Sequence, residues 1–556
     1  MKLKRCCFLL SLICAVHADC GAQAEYPSDA PRIINIVNFI RQTDYRLENS
    51  DSLLFETVRE QIALVNRYGF PATFLFQYDA LINPSYQELM KTRLAPNCEI
   101  GAWWEITQPH VEAAGLPWRG EHSWVSTANV AFTTGYTPEE RERLADVYMA
   151  KFKEIYGEYP KSAGSWFIDS HTLAYMHEKY GIVASCNCKD QIGTDGYTLW
   201  GGYWNQAYYP SRANAYMPAQ TDEYRIPVPV FRMLGSDPIY QYDTGLGRRS
   251  QGVISLEPVY RESGMSEAWV RYFLQSVVDR PSLAFGYAQA GQENSFTWQA
   301  MQKGLEMQFP LLDSLKRANR IRLETLGTSG AWFGERFRHT PPTAVVTLAD
   351  IRGEGRKTVW FNSRYYRANL LWEGRSFRFR DIHLFDERFE SEYLNKAGVG
   401  EQFLYFTLPL VDGFLWSTPD ERAGLRIVKI GSDGTATETS FDDPVVEETA
   451  PDVLSITCRD GDANIFRITF REDCLEVSCE PRSTDFAWAL ELKTARDAAL
   501  PFRSMEERRI SAEFRDFRYS VTCLEGTVRQ GRDAADYVLR LAPSENRLSL
   551  GMKMEH

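Results

Sequence analysis

Along the first 320 residues, the apolar positions switch repeatedly between strand-like and helix-like patterns. Segments 50–69 and 137–157 carry apolar residues at helical spacing, with cap residues at their starts and glycines at their ends. Seven short apolar runs are typical of buried strands: "IINIVNF" (33–39), "PATFLFQYDA" (71–80), "CEIGAWWE" (98–105), "SAGSWFID" (162–169), "IVASCN" (182–187), "VPVFRML" (228–234) and "SLAFGYA" (282–288). Repeated strand–helix units predict parallel strands, and seven of them favour a barrel over an open sheet.

Beyond about residue 330 the pattern changes to short runs, several with alternating apolar and polar positions, separated by Gly, Asp and Ser turns. These runs are "TAVVTLAD", "KTVWFNS", "SFRFRDIHLF", "FRITFRE", "CLEVSCE", "FRYSVTC" and "YVLRLA". Such a series predicts an all-β antiparallel sandwich. The fold class is therefore α/β, a (β/α)7 barrel followed by a β-sandwich domain, with boundaries at 25–325 and 326–556.

The first 24 residues have the features of a signal peptide. The basic "MKLKR" precedes "CCFLLSLICAV", an apolar stretch too short to span a bilayer, and small residues follow it. Cleavage after Ala24 or Ala18 fits this pattern. The sequence therefore predicts an exported protein, periplasmic or extracellular, with no membrane span.

Composition narrows the possible partners and cofactors. The net charge of -12, without a basic stripe, argues against nucleic acid as a partner. Seven cysteines remain beyond residue 24, too few for a disulfide scaffold in a chain of this length. Cys186 and Cys188 alternate on a predicted strand and favour buried thiols over a metal site. No H-x-x-x-H pair and no Gly-rich phosphate loop occurs, so we expect no metal and no cofactor.

The candidate chemistry lies at the ends of the predicted strands, because reacting groups of a parallel barrel sit at the C-terminal ends of its strands. Charged residues found there are Glu105, Asp169, Asp190, Asp195, Arg232, Asp237 and Glu293. Seven of the 14 tryptophans fall between residues 103 and 204, and five of them are candidate sugar platforms: Trp103, Trp104, Trp166, Trp200 and Trp204. Aromatic rings beside carboxylates are what a carbohydrate site requires, so we expect a carbohydrate substrate.

Each of these signals also has a simpler structural interpretation. An aspartate between a strand and a helix, such as Asp169, is usually a helix N-cap. Paired tryptophans often fill gaps between helices and a sheet, and Glu105 could pair with an arginine. The combination of several carboxylates with clustered rings favours a functional site more strongly than any one of these signals does.

Two segments resemble glycoside hydrolase family 57. "YGEYPKSAGSWFIDSHTLAYMHEKYGIVASCNCKDQ" (156–191) is similar to the family's nucleophile region, and "VFRMLGSDPIYQYD" (230–243) to its acid/base region. The resemblance places Gly164, Trp166 and Asp169 on the nucleophile motif, Asp190 on a downstream acidic position and Asp237 on the acid/base. It also implies the distorted (β/α)7 barrel that glycoside hydrolases of this group share with polysaccharide deacetylases.

This chain departs from the family in two places. The nucleophile position carries Asp where the family has Glu, and the first strand reads "NIVNFIRQ" without the family's His-Gln. The leading hypothesis is an exported glycoside hydrolase with Asp169 as nucleophile or base and Asp237 as general acid, and with Glu105 and Glu293 in reserve. Two alternatives stay open: a metal-dependent carbohydrate deacetylase on the same barrel, and a non-catalytic glycan-binding protein.

Overall fold

The computed structural model describes residues 30–194, 196–531 and 537–554. The predicted signal peptide and Asp195 lie outside the described residues. The first part of the described chain contains these strands and helices, in order: β1 Arg32–Ile40, α1 Ser50–Tyr68, β2 Thr73–Phe76, α2 Tyr78–Ile82, α3 Pro84–Arg93, β3 Glu99–Trp103, α4 Gln108–Ala113, α5 Ala128–Ala131, α6 Pro138–Tyr156, β4 Ser162–Gly164, α7 Ser170–Tyr180, β5 Ala184–Asn187, β6 Gln191–Thr194, β7 Tyr197–Trp200, β8 Ala207–Tyr208, β9 Val230–Arg232, α8 Glu267–Val278, β10 Gly286–Ala290, α9 Trp298–Arg317, β11 Arg322–Glu324 and α10 Leu326–Arg336.

Seven of these strands form a parallel sheet in the order β10, β1, β2, β3, β4, β5, β9. The short β8 pairs antiparallel with β9, and β11 adds a parallel strand beside β1. Among the described strands, no pairing joins β9 to β10, so the barrel stays open there. The predicted distorted (β/α)7 barrel is confirmed, and each of the seven predicted runs supplies one of its strands.

Local sequence explains where the barrel helices begin and end. At α6, the Thr137 side chain accepts from the Glu140 N–H while Glu140 bonds the Thr137 N–H, which is the predicted capping box. Helices α1 and α7 each end at a glycine with positive φ, Gly69 and Gly181, a conformation that costs glycine little. The barrel strands are buried on both faces by these helices and by the side chains inside the barrel, as expected for a parallel sheet.

The second part of the chain is all β, with strands β12 Thr343–Thr347, β13 Arg356–Asn362, β14 Tyr366–Glu373, β15 Ser376–Leu384, β16 Phe403–Phe406, β17 Leu408–Asp412, β18 Gly424–Ile430, β19 Ala436–Glu438, β20 Val445–Ala450, β21 Val453–Arg459, β22 Ile465–Phe470, β23 Cys474–Glu480, β24 Ala487–Lys493, β25 Phe502–Glu506, β26 Arg509–Phe514, β27 Phe517–Glu525, β28 Thr527–Gln530, β29 Leu539–Ala542 and β30 Arg547–Gly551. They form a ten-stranded and an eight-stranded antiparallel sheet. Phe361 of one sheet stacks on Phe470 of the other at 5.1 Å, so the two sheets share a core. The predicted sandwich is confirmed.

The two parts of the chain are more interwoven than the sequence pattern indicates. Helix α10 packs on β5, where a side chain at Gly330 would collide with Ala184. Strand β16 belongs to neither of the two antiparallel sheets and pairs in parallel with β7, a strand from the first part of the chain, in a separate three-stranded sheet β16–β7–β6. Arg367, in the sandwich, is fully buried and bonds both Asp381 and the barrel residue Asp190. The predicted boundary at 325/326 therefore falls just before a helix that packs on barrel strands.

Two further findings concern membranes and thiols. Within residues 30–194, 196–531 and 537–554, every helix is too short or too polar to cross a bilayer.

The seven cysteines beyond residue 24 are all unpaired thiols. Burial raises the pKa of Cys188 to about 11, and Cys186 lies fully buried beside it, as inert core thiols do.

Candidate active site

The C-terminal ends of the barrel strands surround a cavity of about 280 Å³, here called the barrel-end cavity. Two indole rings, Trp124 and Trp166, form part of its wall. The charged residues that line it are Arg41, Asp44, Arg46, Glu105, Lys189, Glu257 and Glu293. Its volume is near the lower end of the roughly 300 to 1,000 Å³ typical of small-molecule sites, so it fits a short portion of a glycan.

Strand geometry explains why these side chains meet. Arg41 directly follows β1, Glu105 lies two residues beyond β3, and Glu293 lies three residues beyond β10. Trp166 and Lys189 each lie two residues beyond their strands, β4 and β5. Because the strands are parallel, their carboxyl ends share one edge of the barrel, and residues just past those ends converge on it.

Arg41 joins two carboxylates of the barrel-end cavity. Its Nε and Nη2 donate to Glu105 at 2.9 and 2.8 Å, and its Nη1 lies 2.9 Å from Glu293 Oε2. The guanidinium also lies 4.2 Å from the centroid of the Trp124 ring. Burial lowers the pKa of Arg41, but Glu105 and Glu293 together hold this pKa above its ordinary value. The cluster is a buried triad of one guanidinium and two carboxyl groups.

Four hydrogen bonds from three residues hold the Glu105 carboxylate in place. Besides the two bonds from Arg41, its carboxylate accepts a 2.6 Å bond from Gln77 Nε2 and a 2.7 Å bond from Trp166 Nε1. The side chain is almost fully buried. These donors restrict the Glu105 side chain to one rotamer. The bond from Trp166 also holds the indole ring in the cavity wall. The structural interpretation that Glu105 pairs with an arginine is correct, and the same pair lines the cavity.

The cavity residues that the sequence did not single out include Arg41, Trp124, Lys189 and Glu257. An arginine directly after a nine-residue apolar strand, and a lysine in "CNCKDQ" beside Asp190, are the signals that could have found two of them. Glu257 follows the apolar stretch "GVISL" and accepts bonds from Ser255 at 2.7 Å and Gln292 at 3.1 Å. Trp124 lies in a loop between α4 and α5 and carries no such signal.

Asp169 is not among the described residues that line the barrel-end cavity. It is the N-cap of α7, accepting from the Thr172 N–H at 2.9 Å and from the Thr172 and Thr133 hydroxyls at 2.6 and 2.5 Å. The fully buried Arg141 lies 3.1 Å away. Burial raises the pKa of Asp169, but Arg141 and the hydroxyl donors lower it more, so the net shift is downward. The cap interpretation of this aspartate is the one its contacts fit.

Asp237 is also outside the described cavity lining and completely buried. Its Oδ1 accepts from the Ile239 and Tyr240 N–H groups at 2.8 and 2.7 Å, and its Oδ2 accepts from Trp269 Nε1 at 2.8 Å. Burial raises its pKa. The resemblance assigned the acid/base role to this residue, yet its contacts close a turn between β9 and α8.

Asp190 and Arg232 belong to a buried polar network between the two parts of the chain. Asp190 accepts from Tyr216 at 2.5 Å, from Arg232 at 2.6 Å and from the Gly201 N–H at 2.9 Å, and it also pairs with Arg367. These contacts hold the barrel against the sandwich. Neither Asp190 nor Arg232 is among the described residues of the cavity wall.

The five predicted tryptophans occupy four different environments. Trp166 lines the cavity, whereas Trp103 stacks on Phe39 inside the barrel at 4.2 Å. Trp104 packs between the sheet and the helices against His110. Trp200 and Trp204 lie at the junction with the sandwich, where Trp204 stacks on Trp360 at 3.7 Å. Four of the five therefore fill gaps in the core, and only Trp166 can contact a ligand in the cavity.

The residues present do not match the metal site of a deacetylase. Among the described residues, no group of three His, Cys, Asp or Glu side chains is arranged to hold a metal ion. His110 bonds the Leu144 carbonyl and burial lowers its pKa to about 4, while His177 bonds the Ile182 carbonyl. His122 stacks on Tyr45 and His171 pairs with Glu142. The position after β1 carries Arg41, a cation, where a metal site needs a ligand.

No protein-family model matches this chain, and no curated protein matches it either. Solved structures that align with it include a protein from Parabacteroides distasonis described as a glycoside hydrolase/deacetylase, with 15% identity, coverage of 68% of this chain and 90% of that chain, and a TM-score of 0.47. A 4-alpha-glucanotransferase from Thermococcus litoralis aligns with 10% identity over 94% and 99% of the two chains, at a TM-score of 0.31. A GH57 branching enzyme from Thermococcus kodakaraensis aligns with 10% identity over 56% and 71%, at a TM-score of 0.30.

These structures belong to the glycoside hydrolase and deacetylase group that the sequence resemblance names. Likenesses at TM-scores of 0.30 to 0.47 carry no argument about the reaction of this chain. The fold assignment of this chain therefore depends on its own strand pairing, and any proposal about its chemistry depends on the barrel-end cavity.

Proposed function

We propose that this protein is a carbohydrate-active enzyme, and specifically a glycoside hydrolase whose two carboxylates are Glu105 and Glu293. The observation that carries the proposal is that both residues converge on one guanidinium, Arg41, in the wall of a cavity at the C-terminal end of the barrel. Two carboxylates bonded to different edges of one guanidinium lie several ångströms apart. That is the order of the roughly 5 to 10 Å separation of glycosidase pairs.

The contacts of each carboxylate suggest its role. Glu105 is held rigidly by Arg41, Gln77 and Trp166, so it would act as the ionised group that stabilises or attacks the sugar's anomeric carbon. Glu293 lies in the cavity wall, where its carboxylate pairs with Arg41, and it would donate a proton to the leaving oxygen. Trp166 and Trp124 would pack against the C–H face of the sugar.

The proposal replaces the Asp169 and Asp237 pair with the two reserve candidates. Every carboxylate oxygen of these two aspartates accepts at least one bond from a protein donor, and neither residue is among the described residues of the cavity wall. A catalytic carboxylate must reach the reacting atoms. Export to the periplasm or the cell exterior remains part of the proposal, because it rests on residues 1–24 alone.

The test is a screen of purified protein against neutral and acidic glycans, with release of reducing ends as the readout. On any glycan that is cleaved, Glu105→Gln and Glu293→Gln should each lower kcat/KM by about 100-fold or more, the size of a lost acid, base or nucleophile. The matched control is Glu88→Gln on the exposed face of α3, which should retain the wild-type rate. Wild-type rates in both cavity variants would contradict the assignment.

A non-catalytic glycan-binding protein is the second candidate, and one observation favours it. All four donors around Glu105 are protein groups, so its carboxylate is strongly occupied before any ligand arrives. In that case a glycan would bind to the wild-type protein, as seen by calorimetry, without any product after long incubation. Product formation that depends on Glu105 would remove this candidate.

A further inference from the structure

Lys189 is a buried cation in the wall of the barrel-end cavity. The chain continues past β5 in extended form, with the Cys188 N–H bonded to the Trp166 carbonyl at 2.8 Å, and this places Lys189 at the cavity. The residue is only 1% exposed. Within the part of the chain that the structure describes, its Nζ has no hydrogen-bond partner.

The other two cations of the cavity are matched by carboxylates. Arg41 pairs with Glu105 and Glu293. Arg46 donates to both oxygens of Asp44, at 2.8 and 2.6 Å. Lys189 therefore differs from its neighbours in having no anion in contact with its charge.

The nearest candidate for a protein partner is Glu257, which lines the same cavity. Its carboxylate accepts hydrogen bonds from Ser255 and Gln292, both neutral donors, and the Lys189 Nζ does not hydrogen-bond to it. Glu257, Cys188 and Asp190 raise the pKa of Lys189, but burial lowers this pKa more, so the net shift is downward. The ammonium is thus incompletely compensated by the protein alone.

An ammonium that is removed from water without an anion in contact is costly, and a ligand that supplies the anion recovers that cost. A sugar hydroxyl offers only a neutral acceptor. A carboxylate offers a charge-assisted bond of about twice the strength. The chemistry that best matches Lys189 is therefore an anionic group on the ligand.

We propose that Lys189 binds the carboxylate of an acidic sugar, so that the substrate of the barrel-end cavity is a glycan that contains uronic acid. This inference rests on the proposed function for the sugar nature of the ligand. Lys189 is then the residue that selects acidic over neutral sugars, while Glu105 and Glu293 act on the glycosidic bond.

The experiment compares matched probes that differ only at carbon six. Methyl glucuronoside and methyl galacturonoside are titrated into the full chain beside methyl glucoside and methyl galactoside, with binding followed by NMR and calorimetry. Wild-type protein should bind at least one uronoside roughly tenfold or more tightly than its neutral counterpart, the worth of one charge-assisted bond. Lys189→Met should abolish that preference.

The matched control is Lys151→Met on the exposed face of α6, which should keep the preference. The melting temperature separates binding from folding: Lys189→Met should melt at or above the wild-type temperature, because it removes a buried ammonium that has no partner. A structural ion pair would instead show a lower melting temperature in this variant. Lys189→Arg, which keeps the charge, should retain part of the preference.

The outcomes separate this inference from the proposed function. If wild-type protein shows no preference for either uronoside, including no binding of any probe, or if Lys189→Met keeps a preference, the inference is wrong. Cleavage of a neutral glycan that depends on Glu105 would then still support the hydrolase. Uronoside binding through Lys189 without cleavage of any uronic-acid glycan would keep the inference and remove the hydrolase.

Discussion

Two groups of buried carboxylates lie near the same end of the barrel, and they differ in what surrounds them. Glu105 and Glu293 line a cavity and share Arg41. Asp169 and Asp237 are enclosed by backbone N–H groups, hydroxyls and an indole, and they close a helix and a turn. Burial alone therefore does not distinguish candidate catalytic carboxylates from structural ones. The direction in which each carboxylate faces separates the two groups.

The distance from the strand end accounts for that direction. Arg41, Glu105 and Glu293 lie one to three positions beyond a barrel strand, whereas Asp44 and Arg46 reach the cavity from the loop between β1 and α1. Asp169 and Asp237 lie five positions beyond β4 and β9, where the chain has already turned into the next element. A residue that far along caps the following structure instead of facing the barrel axis.

The largest expected effect is that of removing Arg41. Arg41→Leu leaves two buried carboxylates without their shared cation, so we expect the free energy of unfolding to fall by about 3 to 5 kcal/mol and hydrolysis to be lost. Denaturant unfolding measures the first quantity. Arg59→Leu, which breaks an exposed ion pair on α1, is the control and should cost at most about 1 kcal/mol. Equal losses from the two variants would refute the buried triad.

Asp169→Asn should act on stability and leave the reaction alone. It removes the charge opposite Arg141, at an expected cost of about 3 kcal/mol in unfolding free energy, while kcat/KM of the folded protein stays within a few-fold of wild type. The folded pKa of Asp169 lies below its ordinary value of 3.8, so the stabilisation is present above that pH and is lost as pH falls through the folded pKa. The gap between variant and wild type should therefore shrink in acid.

A smaller change, this time an increase in the free energy of unfolding, is expected when Asp79 is replaced. Asp79 lies three residues beyond β2. Burial raises its pKa from 3.8 to about 7, and its Oδ2 has no hydrogen-bond partner among the described residues. The folded state then holds a proton that the unfolded state has released, so Asp79 makes the protein less stable as pH rises from about 4 to 7. Asp79→Asn should gain on wild type by up to about 1.4 kcal/mol for each pH unit within that range.

Thermal unfolding at several pH values checks this expectation. Asp222→Asn, at an exposed surface ion pair, provides a control whose stability should not gain on wild type over the same interval. A difference between Asp79→Asn and wild type that does not change from pH 4 to 7 would show that Asp79 is ionised in the folded protein.

The fold could be predicted from sequence because each barrel strand is an apolar run bounded by helix signals. The spacing of apolar residues also changes between the two parts of the chain, from alternating strand and helix patterns to short strand patterns alone. The pairing of β16 with β7 could not be predicted, because nothing in "FLYF" differs from a sandwich strand. Its partner, β7, is identified only by tertiary packing. Pairing between distant segments is decided by the whole core.

The candidate site was predicted in its location and only partly in its members. The strand ends named the edge of the barrel where the cavity lies, and Glu105, Glu293 and Trp166 line that cavity, while their roles stay a prediction. Residue type could not separate them from Asp169 or Trp204, since caps and core packing use the same side chains. Lys189 and Arg41 were missed because a cation after an apolar strand is usually a solvated end, whereas here both are buried.

The most direct test places both groups of carboxylates in one assay. The kcat/KM of Glu105→Gln, Glu293→Gln, Asp169→Asn and Asp237→Asn is measured on the same cleaved glycan, at a temperature where circular dichroism shows every variant to be folded. The account predicts losses of about 100-fold or more for the two glutamate variants and changes within about tenfold for the two aspartate variants. Large losses at Asp169 and Asp237, with wild-type rates at Glu105 and Glu293, would contradict it.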